Sequence, residues 1–510
     1  MRKLLKQSVI FILGAVLFTL VYGQSPLYSS NQNQYFLHGL AQAGYGSLES
    51  DWVVNTLDPV PVFSFMVAGL YRIFQADGIF YWVYAGLMGV YFFSLLGILD
   101  HFFKIKSSKT KLLVFSGMVL LLHSAALREL LGSLFGDDWT YALEGGFAGQ
   151  RLLGPVFQPS VFGILLVVSI YIFLQEKVIW AAVLLPAAAT VHPTYLLSAA
   201  LLTAAFMLVL YIEDGSPRRA ILTGAVSLVL VLPILVYALS LFSPSNPEVI
   251  RKAQEALVTF RIPHHSLIER WFNLSVLFRL GLVAAAAYRL RETRLFWVLA
   301  LPGAAVILLT GIQAMTGSYA LALLFPWRPS VFLVPLASCC LLAAGLDRLW
   351  PKIQSRGHLA VPAVVLLAAG LAAAGMIQFL AEVDIKRSAP EYPVMVYIRD
   401  HNRPGETYMV PLGFQDFRLF TGAPATIDFK AIPYRDSEVV EWFSRVNNIS
   451  RIYRQPSGGG ICEHLWRTAR QFKATHIVLP KDAFSLPCKW LEEVYNDGEY
   501  AVRILHPDQR

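Results

Sequence analysis

Eleven stretches of this 510-residue chain are apolar over nearly the length needed to cross a lipid bilayer, which takes roughly 20 residues in a helix. They run over 7–23, 79–99, 112–128, 159–175, 178–196, 197–212, 220–242, 273–290, 295–314, 329–347 and 359–381. Composition agrees, since 56% of the residues are hydrophobic and only 15% are charged, against about 25% charged in soluble proteins. So few charges cannot surround that much apolar surface in water. A soluble multidomain protein, a disordered chain and a disulfide-rich secreted module are excluded. The pattern predicts a polytopic α-helical membrane protein with eleven transmembrane helices and a polar tail.

A twelfth apolar stretch, 60–76, is shortened by Pro59 and Pro61 and interrupted by Arg72. Lysine and arginine positions decide whether it crosses. If it does not, sixteen of them lie in short connections on the N-terminal side, including Lys104, Lys106, Lys109, Lys111 and Arg356, and eight lie in longer segments on the other side. Twelve crossings would translocate the lysine cluster and erase an asymmetry that normally marks cytoplasmic loops. The expectation is a cytoplasmic N-terminus, an extracytoplasmic C-terminus and an interfacial helix over 60–76. Loops 24–78, 129–158, 244–272 and 315–328 then all face outward. Val21 and Gly23 before Gln24 also resemble a signal-peptide cleavage site, which leaves the outward assignment unchanged. The net charge of +8 belongs to the inner loops, and without a basic run interleaved with aromatics nucleic acid is not an expected partner.

The transmembrane domain is expected over 1–382 and a small α/β domain over 383–510. In the tail, helices are expected over 393–401, 436–453 and 462–472, strands over 407–412, 425–429 and 475–479, and a hairpin over 491–505 around Asn496-Asp497-Gly498. Asp436 can cap its helix, with Val439, Val440, Phe443 and Val446 as the inner stripe. Cys339 and Cys340 fall in an apolar run and read as packing. Cys462 and Cys488 lie in the tail and can pair in an oxidising compartment.

Residues able to do chemistry concentrate in the outer loops. No basic residue occurs between Lys6 and Arg72, whereas Glu49, Asp51 and Asp58 cluster beside Trp52; a carboxylate held near an aromatic suits general-base work. Asp58-Pro59 also reads as a turn. The second loop carries Asp137, Asp138 and Glu144 among aromatics and glycines, and adjacent carboxylates suit Mg²⁺ or Mn²⁺. Cations form a third set: Arg261, His264 and His265, Arg328 in Pro-Trp-Arg-Pro, His192 before Pro193, and Arg279 inside an otherwise apolar stretch. An intramembrane arginine is a functional candidate, and its two-pronged geometry fits phosphate oxygens. Two adjacent histidines without a third ligand do not make a zinc site.

The layout resembles the GT-C superfamily of polytopic glycosyltransferases: one span, a long acidic outer loop with an interfacial helix, further spans with Arg and His in outer loops, and an extracytoplasmic α/β domain. It is also similar to bacterial membrane proteins carrying the motifs seen here as Asn31-Gln32-Asn33-Gln34-Tyr35, Asp51-Trp52, Asp58-Pro59 and His192-Pro193-Thr194-Tyr195. The resemblance implies an inverting transfer of a sugar from a polyprenyl-phosphate carrier at the outer face of a bacterial inner membrane, with an acid of the first loop as base. Amides at Asn31 to Gln34 stand where many members have that acid, so Asp51 takes the part, with Glu49 and Asp138 assisting. Arg261, His264, His265, Arg279, Arg328 and His192 would hold the donor, and Trp52, Asn33 and Gln34 would line the site. A lipid or solute transporter and a non-catalytic assembly protein are the rival classes; the absence of paired half-sequences counts against the first.

Overall fold

In the computed structural model, residues 2–241, 243–355 and 357–506 are described. The end of the predicted stretch 220–242 and Arg356 of the inner cation set fall outside them. All eleven apolar stretches are helical, but not all reach spanning length. Seven helices among the described residues are long and apolar enough to cross a membrane: Leu5–Tyr22, Ile79–Phe103, Pro193–Asp214, Arg218–Leu241, Arg294–Thr316, Ser330–Gln354 and His358–Arg387. An eighth is formed if Lys109–Leu122 and Ala125–Phe135, bent by 49° at their junction, count as one span. The protein is therefore an integral membrane protein with a mostly helical fold.

Three expected spans are shorter: Pro159–Leu174 and Val178–Val191, and Leu274–Arg289 at 16 residues. The second ends where it does because Pro193 disfavours the helical conformation at the residue before it, and His192 is extended (φ −140°, ψ 101°). The stretch 60–76 forms the helix Pro61–Phe74, with Pro61 in its first turn, where a missing N–H costs nothing.

The chain divides into two compact units, and the division does not follow the expected boundary at 382. One comprises 1–24, 80–237 and 262–380; the other comprises 25–79, 238–261 and 381–510. Within the second unit the first outer loop is bound to the tail by specific contacts. Tyr45 donates to the Leu419 carbonyl at 2.7 Å, and Ser47 N donates to the Gly422 carbonyl at 2.8 Å. The helix Pro247–Glu255 also belongs here, with Ala253 and Ala256 buried against Val439, Val440 and Phe443.

The tail is α/β. Its sheet contains β1 (Tyr408–Met409), β2 (His476–Pro480), β3 (Leu491–Asn496) and β4 (Tyr500–Leu505) in the order β1-β2-β4-β3, with β1 parallel to β2 and the other pairs antiparallel. The hairpin turns at Gly498, whose φ of +90° suits glycine. The expected strand at 425–429 is reduced to a single bridge, Tyr408 to Ala425, because Asp428 and its neighbours are engaged by a buried arginine instead. Helices Tyr392–His401, Asp436–Arg454 and Ile461–Phe472 lie where periodicity places them. Asp436 is the first helical residue rather than the cap; its carboxylate accepts from Ser245 N and Oγ at 2.8 Å. The fully buried stripe of this helix runs through Val439, Trp442, Val446, Ile449 and Ile452. Val440 and Phe443 form a second apolar edge against residues 253–256. Cys462 and Cys488 form a disulfide with Cα atoms 5.4 Å apart, while Cys339 and Cys340 are buried and free.

Candidate active site

In the first unit, the helix begun at Lys109 breaks at Ser124, whose hydroxyl caps the continuation by accepting from Leu127 N at 3.0 Å. Gly136, at φ +91°, ends that continuation, and Asp137–Trp139 form a 3₁₀ turn. The chain then runs without regular structure to Gln158, so its backbone groups need other partners. Two contacts set its course. Phe147 N donates to Ser330 Oγ at 2.8 Å. Gly146 approaches so closely that an added Cβ would lie 2.6 Å from Ser330 Oγ and 2.8 Å from Val331 N.

Facing this segment is the stretch 262–279. Asn273 caps the helix Leu274–Arg289, accepting from Ser275 N at 3.0 Å and Ser275 Oγ at 2.7 Å. One and a half turns later Arg279 reaches back, with Nη2 donating to the Asp138 carbonyl at 2.8 Å and Nη1 to the Gly146 carbonyl at 3.2 Å. The His265 ring bonds the Ala148 carbonyl. Trp271 stacks on Phe147 at 6.4 Å and meets Trp327 at 4.8 Å.

These segments enclose a cavity of about 280 Å³ lined by Asp137, Asp138, Tyr141, Arg151, His264, Arg270, Trp271 and Arg279, with Gly145, Gly146, Ala148, Gly149 and Gln150. Three guanidinium groups and an imidazole therefore share one hollow with two carboxylates. Arg279 is only 6% exposed, its Nε has no hydrogen-bond partner, and its Nη atoms donate to carbonyls rather than to a carboxylate. Arg151 lies over the Tyr141 ring at 4.0 Å. The arrangement can bind an anion while presenting a carboxylate beside it.

Of the residues expected from sequence, Asp137, Asp138, His264 and Arg279 line this cavity, and His265 props its wall. Arg151, Arg270 and Tyr141 were not singled out; in the sequence the two arginines are ordinary outer-loop charges, and only the tertiary approach distinguishes them. Glu144 is instead a structural acid, paired with Arg128 at 3.0 Å with both side chains buried.

The expectation for Asp51 needs correction. It is 1% exposed and belongs to the second unit, where its carboxylate accepts from Arg418 Nε at 2.6 Å, Ala425 N at 2.9 Å and Val53 N at 2.8 Å. Arg418 also pairs with Asp428 and donates to the Ala425 carbonyl at 3.0 Å. Burial alone would lower the Arg418 pKa, but the Asp51 and Asp428 carboxylates outweigh it and raise it. A carboxylate so engaged and sealed from solvent is out of reach of an acceptor hydroxyl. Glu49 is exposed on a 3₁₀ turn, and Asp58 makes the expected turn, accepting from Val60 N at 2.9 Å. Trp52 lies under Arg445 at 4.1 Å.

The remaining expected residues are dispersed. Gln34 exchanges two hydrogen bonds with the Ile432 backbone, at 2.9 and 2.7 Å, as a structural tie. Arg261 donates to the Lys430 carbonyl at 2.8 Å and lies over Phe429, within the second unit. His192 and Arg328 both flank Tyr195, with ring centroids at 5.7 Å and the guanidinium at 4.9 Å from the tyrosine ring. No group of three or more His, Cys, Asp or Glu able to hold a metal exists among the described residues. Asp137 and Asp138 share their cavity with three arginines, which neutralise them and repel a divalent cation. The donor set does not fit a resident Mg²⁺ or Mn²⁺.

The fold has a counterpart among solved structures. ArnT from Cupriavidus metallidurans, in a crystal structure with undecaprenyl phosphate bound, aligns over 98% of this chain and 98% of its own, with a TM-score of 0.52 and 12% identity. The chain has a GT-C-like fold. An oligosaccharyltransferase from Archaeoglobus fulgidus, crystallised with zinc and sulfate, aligns over 97% of this chain and 72% of its own at TM-score 0.46 and 10% identity. Residues 389–449 match DUF6798, a domain of unknown function, which places that domain in the tail of this GT-C-like fold. No curated protein matches the chain.

Proposed function

We propose that the protein is a membrane glycosyltransferase that moves a sugar from a polyprenyl-phosphate-linked donor to an acceptor hydroxyl at the outer face of a bacterial inner membrane. The observation that carries this reading is Arg279: a buried cation in an apolar helix, hydrogen-bonded to two carbonyls and lining one cavity with Arg151, Arg270, His264 and two aspartates. Such a charge costs several kcal/mol in an apolar setting unless an anion joins it, and a lipid phosphate supplies that anion at headgroup depth. The fold it shares with ArnT, a protein seen with undecaprenyl phosphate, supports a lipid of this class. The disulfide in the tail supports an extracytoplasmic tail, since such bonds persist in oxidising compartments.

The chemistry follows from the two kinds of charge. The acceptor oxygen attacks the anomeric carbon, and the bond from that carbon to the phosphate oxygen breaks with its electron pair going to phosphate. Arg279, Arg151 and Arg270 meet the charge that develops there; prepositioned donors of this kind commonly supply the largest share of rate. The acceptor proton passes to the Asp138 carboxylate, with Asp137 alongside. A single displacement inverts the anomeric centre.

The test uses membranes carrying the full chain and polyprenyl-phosphate-linked sugar donors, with acceptor mass as readout. Arg279→Gln is expected to lower transfer about 100-fold or more, and Asp138→Asn by about 100- to 10,000-fold. Asp51→Asn is expected to lower the amount of folded protein rather than turnover per folded molecule. Full transfer by Arg279→Gln would exclude the proposed phosphate site.

A further inference from the structure

Within the second unit, the segments 256–261 and 428–434 bring two cations together. The first is a π-helical turn, Ala256–Arg261, a rare widening of the helix that gathers at functional sites. Phe260 anchors the turn, its ring centroid 5.4 Å from that of Phe429 and 5.1 Å from that of Phe443. Arg261 follows at once. Its Nη2 donates to the Lys430 carbonyl at 2.8 Å, and its guanidinium lies 5.2 Å from the Phe429 ring centroid. Nε is sealed, so an incoming group would meet the Nη end.

Lys430 is half-buried beside it. Burial and then the Arg261 charge lower the lysine pKa, and burial lowers that of Arg261. Among the described residues neither cation is in a salt bridge. The carboxylate that acts on both is Asp428, and it is already engaged. It pairs with Arg418 and accepts from Lys430 N and Ala431 N, both at 2.6 Å. Arg418 also pairs with Asp51, so that buried trio carries one net negative charge against the two positive charges beside it. Asp58 accepts from Val60 N at 2.9 Å and bears on Tyr434 rather than on either cation. The surplus around Arg261 and Lys430 is positive.

Hydroxyls reach the same place. Asn33 is buried and Gln34 is tied to the Ile432 backbone, which sets Tyr35 against Tyr434 with hydroxyls 3.2 Å apart. Both tyrosines act electrostatically on Arg261. Two partly desolvated cations suit an anion with several oxygens and more than one charge. A terminal phosphate is such an anion at neutral pH, since its second pKa is about 6, and Arg and Lys are its usual protein donors. A carboxylate brings two oxygens and a single charge.

We propose that Arg261 and Lys430 form a binding site for a terminal phosphate group. The inference stands apart from the catalytic reading, because it concerns binding in a different unit and requires no transfer.

The experiment is hydrogen–deuterium exchange at pH 7 on the full chain in phosphatidylcholine nanodiscs. Inorganic phosphate and glycerol 3-phosphate are the soluble probes, phosphatidic acid added to the nanodisc is the lipid probe, and acetate and chloride at equal ionic strength are the controls. At least one phosphate probe is expected to slow exchange in both 256–261 and 428–434. Protection by the soluble probes identifies a free phosphate compound as the ligand; protection by phosphatidic acid alone identifies a lipid headgroup. Arg261→Gln and Lys430→Met should each weaken the apparent affinity about tenfold or more, as for the loss of a hydrogen bond to a charged group. Lys430→Met removes a half-buried charge and keeps the fold, so its effect reports binding. No protection by any phosphate probe would overturn the proposal. So would equal protection by acetate or chloride, or unchanged protection in Lys430→Met. Arg279→Gln should leave this protection unchanged, which separates its failure from failure of the catalytic assignment.

Discussion

Arg279 and Asp51 show how differently two charges that look alike in sequence can be used. Both are candidate active groups by residue type and setting, yet Asp51 is closed into an ion-paired core while Arg279 lines a hollow shared with two aspartates and two further arginines. Removing the shared partner of the core should be costly. Arg418→Met leaves Asp51 and Asp428 buried together without a cation, and unfolding of the second unit is expected to become easier by about 3–5 kcal/mol, measurable by denaturant titration of tryptophan fluorescence. Nearby, burial and then the Arg261 charge lower the Lys430 pKa to about 8. Lysine free in an unfolded chain titrates near 10.4. Below pH 8 the folded state bears the cost of that ammonium; between pH 8 and about 10.4 the unfolded state holds the proton and the folded state does not, so this contribution to stability rises with pH. Lys430→Met should therefore be more stable than the parent at pH 7, with the gap narrowing toward pH 10. A gap that widened would contradict the sign. The Asp51 pairing was not legible in sequence, because its partner Arg418 lies 367 residues away, whereas Arg279 stands out there as a charge inside an apolar stretch.

Helices and strands were far more readable than the pairs they bring together. Apolar length located the seven helices of spanning length among the described residues, and hydrophobic periodicity located three of the tail helices and the hairpin but not the short helix Phe417–Thr421. The failures have local causes. Pro193 cut one expected span short, and the strand predicted at 425–429 lost its ladder to Arg418 and Asp428. The second apolar edge of Asp436–Arg454 was read as part of a single stripe, since its partner, residues 253–256, comes from a distant loop. The disulfide was anticipated from position alone, and it closes a stretch of 26 residues between helix Ile461–Phe472 and the segment before β3. Cys462→Ser is expected to destabilise the second unit by about 3 kcal/mol on loop-closure grounds, visible as a lower midpoint in thermal unfolding of the tail.

For the whole molecule, charge asymmetry predicts one threading. Cysteines introduced at exposed positions distinguish the two sides: Gln42→Cys should react with a membrane-impermeant maleimide in intact cells, and Ser355→Cys only after permeabilisation, with Cys339 and Cys340 silent because they are buried. Equal labelling of both would defeat the threading and with it the outward-facing active site. The pairing of Asp51 with Arg418, 367 residues apart, bears on how such a chain is made. Synthesis delivers the first loop long before its guanidinium partner exists, so on the threading expected from charge residues 25–79 would wait at the translocon exit with the Asp51 carboxylate unpaired and apolar edges uncovered. A nascent chain arrested near residue 400 should be nicked readily in that loop by an external protease, and release of the full-length product should abolish the cut.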